Sequence, residues 1–311
     1  MKSGFVSFIG RPNAGKSTLL NRIVGQKLAI VSDKPQTTRT RVVGVKNYPP
    51  PLLEAASAGQ ALGGQIVFVD TPGVHKPTHR MNVRMVDVAL EAMREVDLLA
   101  LVVDASVKPG PGDRFLVEVL KEVKTPVFLI LNKIDLIKKA KLLPIIDRYR
   151  QEGPFAEIIP ISASTGDGVE RLERVIVERL PEGERRYAED YLTDQPERFF
   201  AAEIVREKLL QFTHAEIPFS SAVVVDRFEE PGEGRPILRL YCTIVVDRES
   251  QKPIVVGKGG AMIKRIGTAA REELERFFST RVYLDLHVRV KAEWREDDRV
   301  LGEIGIGNKN D

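Results

Sequence analysis

At 311 residues and 43% hydrophobic content, the chain is long enough for two packed cores, and no apolar run approaches the roughly 20 residues a membrane-crossing helix needs. The formal net charge of +3, from 47 Lys and Arg against 44 Asp and Glu, is too small to announce a nucleic-acid partner. Cys242 is the single cysteine and can form no internal disulfide, and His75, His79, His214 and His287 lack metal-ligand spacing.

Met1, Lys2 and Ser3 run into a strand-like segment and not a secretion signal, which makes the cytosol the expected compartment. Short β-branched runs then alternate with longer amphipathic stretches: strands are predicted at 4–9, 41–45, 66–69, 98–103, 127–131 and 158–161, and helices beginning near Lys16, Arg80, Asp113, Lys141 and Val169. Strands separated in this way predict an α/β domain, with a mainly parallel sheet covered on both faces. Residues 49–64 read as an extended hairpin loop. The polar stretch 181–196 reads as a linker, placing a first domain at 1–181, the linker at 182–196 and a second domain with a tail at 197–311. The second domain reads as helix (197–211), two strands (221–228 and 238–246), a glycine-rich turn, helix (261–278) and strand (281–291), a small α+β unit. Cys242 falls within an alternating strand and reads as a small core hydrophobe. The tail 294–311 could pack on either domain.

Gly10, Arg11, Pro12, Asn13, Ala14, Gly15, Lys16 and Ser17 fit G-x-x-x-x-G-K-[ST] between a strand and a helix, the context in which backbone N–H groups cradle phosphates. Lys16 then reaches the β- and γ-phosphates and the Ser17 hydroxyl ligates Mg²⁺, with Thr18 following in the first helical turn. Asp70, Thr71, Pro72 and Gly73 follow a buried strand, so Asp70 can hold magnesium through water and the Gly73 N–H can sense the γ-phosphate. Asn132, Lys133 and Asp135 end another strand. The two carboxylate oxygens of Asp135 match the N1–H and exocyclic amine of guanine, which adenine lacks. Ser162, Ala163 and Ser164 follow the next strand, placed to close over the base with a backbone N–H for the guanine carbonyl oxygen.

This ordered set resembles the translation-factor-like branch of small GTPases, which implies a mixed six-stranded sheet, GTP and GDP as ligands, and a switch I threonine on Mg²⁺. Thr38 takes that role, with Thr37 the fallback. Where Ras-like enzymes carry a water-orienting glutamine after the glycine, this chain has Val74, which can neither donate nor accept a hydrogen bond. Asn13 then resembles the asparagine of GTPases that hold a potassium ion at the phosphates. The alternative is that Asn13 only stabilises the loop. The catalytic set on this reading is Asn13, Lys16, Thr38 and Gly73.

Gly257, Lys258, Gly259 and Gly260 form a G-x-x-G turn between apolar helical segments, the signature of a KH domain, whose loop clamps about four single-stranded nucleotides. Lys258, Lys264 and Arg265 add phosphate charge, and the element order is that of the type II KH arrangement. A GTPase domain followed by a KH domain resembles the Era family along the whole chain, supported by the wording Leu192 to Arg198 and Val256 to Gly260. That resemblance implies a monomeric ribosome-assembly factor that binds the 3′ end of 16S ribosomal RNA and the 30S subunit, in the cytoplasm and sometimes at the inner membrane surface. A regulatory GTPase whose second domain is a protein adaptor is the competing reading.

Overall fold

A computed structural model describes residues 1–32, 39–48, 63–70, 81, 93, 95–213, 217–232, 234 and 236–306. Two compact units divide the chain: Met1–Ala29, Thr38–Lys76 and Met85–Asp194 make the first, and Ile30–Thr37, Pro77–Arg84 and Gln195–Asp311 the second.

In the first unit β1 (Lys2–Ile9), α1 (Lys16–Val24), β2 (Val42–Tyr48), β3 (Gly64–Asp70), β4 (Leu98–Asp104), α2 (Pro111–Lys121), β5 (Val127–Asn132), α3 (Leu142–Glu152), β6 (Phe155–Pro160) and α4 (Val169–Arg179) follow in order. The six strands lie in the order β2-β3-β1-β4-β5-β6, parallel except for the antiparallel pair β2 and β3. The mixed six-stranded sheet implied by the resemblance is therefore present. The hairpin segment 49–62 and the helix expected near Arg80 lie outside the described residues. The central strands β3, β4 and β5 are buried almost end to end, as strands covered on both faces must be. Apart from Gln65 near the start of β3, their side chains are apolar until the strands end, so Asp70, Asp104 and Asn132 all emerge at carboxyl ends.

Residues 187–194 do not hang free between the units. The Val45 N–H donates to the Leu192 carbonyl at 2.9 Å, the Asn47 amide to the Glu189 carbonyl at 2.9 Å, and Gln65 Nε2 to the Tyr187 carbonyl at 2.9 Å. Tyr187 and Tyr191 stack at 4.5 Å and pack with Phe5 on Val43, Val45 and Val67. The strap covers the outer strand β2, whose edge would otherwise offer unpaired backbone groups.

The second unit contains α5 (Glu197–Phe212), α6 (Ile217–Ser220), β7 (Ser221–Glu229), β8 (Leu238–Val246), α7 (Lys252–Val256), α8 (Ala261–Phe278), β9 (Val282–Val290) and α9 (Asp298–Glu303). β7 and β8 pair antiparallel, β8 and β9 parallel. Alternation puts Leu238, Leu240, Cys242, Ile244 and Val246 into a core shared with Ile204, Val205 and Leu209 of α5 and Ile266, Ala270 and Leu274 of α8. Burial pushes the Cys242 thiol up to about 12, helped by Asp226 and Asp285, so it is an inert core group. The tail joins this unit: Trp294 is fully buried and its Nε1–H donates to the Ser220 carbonyl at 2.9 Å. No described helix is long and apolar enough to cross a membrane.

Candidate nucleotide and RNA sites

β1 stops at Ile9 and α1 starts at Lys16, so residues 10–15 form the expected loop between strand and helix. Gly15 takes φ +97°, and a Cβ there would stand 2.1 Å from Asn132 Nδ2; only glycine lets the loop close against β5. Asn132 is 1% exposed and braces two loops at once. Its Nδ2 donates to the Ala14 carbonyl at 2.8 Å, and its Oδ1 accepts from the Ala163 N–H at 2.9 Å. Arg11 reaches sideways to Asp113 Oδ2 at 2.8 Å, and the same carboxylate oxygen accepts the Gly110 N–H at 2.7 Å where α2 begins. Asn13 is exposed with φ +64°, a conformation asparagine tolerates better than most residues.

Lys16 is 6% exposed, and its Nζ donates to the Gly10 and Arg11 carbonyls, each at 3.1 Å. Burial pushes its pKa down, opposed by the Asp70 carboxylate. A desolvated ammonium in that position is complementary to phosphate oxygens. Ser17 Oγ donates to Asp70 Oδ2 at 3.0 Å. Two hard oxygens this close fit Mg²⁺, which needs only one or two protein oxygens when water and phosphate complete its octahedron. Thr18 is half-buried in the first turn of α1. Thr37, Thr38, Thr71, Pro72, Gly73 and Val74 lie outside the described residues.

On the base side, Lys133 takes φ +65°, and its Nζ pairs with Asp104 Oδ2 at 2.5 Å. Burial alone would raise the Asp104 carboxyl, but hydrogen bonds from Lys133 and Ser106 outweigh it and hold the group below its usual range. Asp135 lies in the one-turn helix Ile134–Leu136, exposed, and its carboxylate has no partner among the described residues. In the loop after β6, the Ser162 N–H donates to the Asp167 carbonyl at 2.8 Å, and the Ala163 N–H is taken by Asn132. The Ser164 N–H is then the donor of this tripeptide without a partner among the described residues. Sequence patterns marked the loops but not three of their supports, Arg22 on the carbonyls of residues 163 and 164, Asp104 on Lys133 and Asp113 on Arg11, whose partners are remote in the chain.

In the second unit, α7 leads into the turn 257–260, which leads into α8. Gly257 takes φ +74°, and a Cβ there would meet Met262 at 2.7 Å, whereas a Cβ on Gly259 or Gly260 would meet nothing within 4 Å. Lys258 and Gly259 are exposed. Beside the turn lies a groove of about 320 Å³, with Ile263, Leu284 and Leu286 as its apolar part and Lys264 and Arg271 as its cations. The structure thus brings Lys264 to the groove. Arg265 is directed elsewhere, its guanidinium 4.2 Å from the centre of the Phe212 ring.

Residues 5–133 match the family described as 50S ribosome-binding GTPase, and residues 216–295 match the KH domain family. GTPase Era of Geobacter metallireducens is 50% identical over 304 residues, covering 98% of this chain and 97% of that one. GTPase Era of Syntrophus aciditrophicus is 52% identical, with 98% and 95% covered. The chain belongs to the Era family of GTPases. Two solved Era structures, each 39% identical and spanning 99% of this chain and 100% of the other, superpose with TM-scores of 0.91 and 0.90. The first is a variant of Aquifex aeolicus Era bound to GDP and AlF4⁻, and the second an Era complex with MgGDPNP and nucleotides 1506–1542 of 16S ribosomal RNA. As an Era-family member this protein is a GTPase that hydrolyses GTP to GDP and phosphate, and its second unit is a KH RNA-binding domain.

Proposed function

We propose that this protein is a GTP-controlled switch whose KH domain binds the 3′ end of 16S ribosomal RNA during maturation of the 30S subunit. One observation carries the reading. The Era solved with MgGDPNP and that RNA segment matches this chain over 99% of its length. In the first unit Gly10 to Thr18 hold the phosphates, and Ser17, Asp70 and Thr38 hold Mg²⁺, which would neutralise charge on the transferred phosphoryl group. Thr71, Pro72 and Gly73 report the γ-phosphate, while Asn132, Lys133, Asp135 and residues 162–164 read guanine. In the second unit residues 257–260 clamp the RNA backbone, with Lys264 at the groove and Arg265, its neighbour in the sequence, adding positive charge. The protein works in the cytoplasm as a monomer, with peripheral contact to the inner membrane surface that co-sedimentation with anionic vesicles checks.

The test is competition between a 16S 3′-end oligonucleotide and its scrambled counterpart, with a non-hydrolysable GTP analogue and with GDP. The 3′-end sequence should win, and its affinity should change between nucleotides by the 5- to 150-fold typical of coupled sites, on the order of 1–3 kcal/mol. Equal binding of both oligonucleotides would favour the protein-adaptor reading. Potassium is the proposed source of positive charge at the phosphates, through Asn13, because Val74 cannot orient water. GTP turnover should be faster in potassium than in sodium at matched ionic strength, and Asn13→Ala should erase the difference. Equal rates in both salts would assign Asn13 to loop stability alone.

A further inference from the structure

We propose that Arg22 is a positioning residue for guanine recognition, acting through the peptide between Ala163 and Ser164. Arg22 lies in the last turn of α1, where a basic side chain ordinarily offsets the negative end of its own helix. Here the guanidinium leaves its helix. Its Nε donates to the Ala163 carbonyl at 2.5 Å, and its Nη2 donates to the Ser164 carbonyl. The same group lies against Gly166, where φ is +94° and a Cβ would stand 2.9 Å from Arg22 Nη1. One planar cation therefore spans two successive carbonyls across 141 residues of chain.

In a trans peptide the carbonyl and the following N–H point in opposite directions. Holding the Ala163 carbonyl outward on Arg22 turns the Ser164 N–H the other way, and this is the donor left without a partner among the described residues. From the other side, Asn132 holds the Ala163 N–H. Ala163 is thus held on both sides, its N–H by an amide at the end of β5 and its carbonyl by an arginine on α1. Because α1 also carries Lys16 and Ser17, the clamp ties the base-reading loop to the helix that reads phosphate. A charge-assisted bond to the carbonyl also polarises the peptide and makes its N–H a stronger donor to the 6-oxygen of guanine.

This inference rests on the reading that residues 162–164 contact the base, and the experiment separates the two. Full-length wild type, Arg22→Ala and Arg22→Lys are titrated with GDP and with 6-thioguanosine diphosphate. The thio analogue keeps the N1–H and 2-amino groups for Asp135 but offers a poor acceptor at position 6. Wild type should prefer GDP. Arg22→Ala should weaken GDP binding by about tenfold, the size of one charge-assisted hydrogen bond, and weaken the thio analogue by much less. Arg22→Lys, with the charge but without the planar fork, should fall between. Equal loss for both nucleotides in both variants would make Arg22 a general support of the loop and overturn the proposal. A wild type that does not distinguish GDP from the thio analogue would defeat the loop reading itself, and the proposal with it.

Discussion

The phosphate loop at residues 10–15 and the turn at 257–260 each open a helix with glycines, but they are held from different places. The phosphate loop is gripped by residues remote in sequence: the Asn132 amide on the Ala14 carbonyl, and the Asp113 carboxylate on Arg11. The KH turn is held by its neighbours, with the Gly257 N–H on the Pro253 carbonyl at 2.8 Å and the Gly260 N–H on the Gly257 carbonyl at 3.2 Å. A site that must surround a small, highly charged ligand needs its donors fixed in three dimensions. A site that lies along a flexible strand of RNA needs an accessible backbone and cations near it. The difference teaches where each should be fragile: the first to a change far along the chain, the second to a change of charge at its tip.

Asn132→Ala is the sharpest way to break that contrast. It strands the Ala163 N–H and the Ala14 carbonyl in a buried place, at a cost of about 1–3 kcal/mol for each unpaired group. The urea midpoint of the first unit and the GDP affinity should fall together. If GDP affinity stays at the wild-type level, the phosphate loop does not depend on its distant brace. A smaller structural effect is expected from placing aspartate at both Lys258 and Gly259. Both are exposed and a Cβ at 259 meets nothing, but Gly259 takes φ +58°, so aspartate there should cost about 1 kcal/mol and leave the domain folded. RNA affinity should nevertheless fall, and the salt slope of binding should shrink by roughly 0.7 for each phosphate the turn no longer neutralises. Unchanged RNA affinity in a folded variant would remove the turn from the binding surface.

How far the sequence could be read follows the same division. β8 forms over Leu238–Val246 and α8 over Ala261–Phe278, as periodicity and flanking glycines predict, because those signals are local. The strand expected at 158–161 instead forms as β6 over Phe155–Pro160. Ala156 and Glu157 are exposed and hide the alternation, and pairing with β5 sets the register, with a shift after Val127. The stretch 181–196 is polar and reads as a linker, yet part of it straps the edge of β2, since it binds there through its own main-chain carbonyls at Tyr187, Glu189 and Leu192, which leave no trace in side-chain composition. The candidate residues of the nucleotide site could be marked in the sequence because Asp70 and Asn132 end strands and Lys16 and Ser17 open a helix. Arg22, Asp104 and Asp113 could not, because their identity matters only through partners the fold brings to them.

The smallest expected effect concerns a carboxylate that neither site uses. Glu173 of α4 is lifted to about 7, first by burial and then by the neighbouring Glu170, with Lys46 and Tyr48 acting in the opposite direction. A carboxyl raised on folding binds its proton more tightly in the native state, so native stability is full below the unfolded value near 4.5 and is lost as pH rises towards about 7. Above that both states are ionised and the contribution is flat. The group is partly exposed, so solvent screening leaves a difference on the order of 1 kcal/mol between pH 5 and pH 8. Urea denaturation of wild type and Glu173→Gln at those two pH values isolates it. The glutamine variant should lose less stability on going from pH 5 to pH 8 than wild type does, whatever its absolute stability, because an amide cannot ionise. An identical pH dependence in both proteins would mean that water reaches Glu173 freely enough to keep its ordinary acidity. The packing of α4 beside β2 would then owe nothing to a protonated carboxyl next to Tyr48.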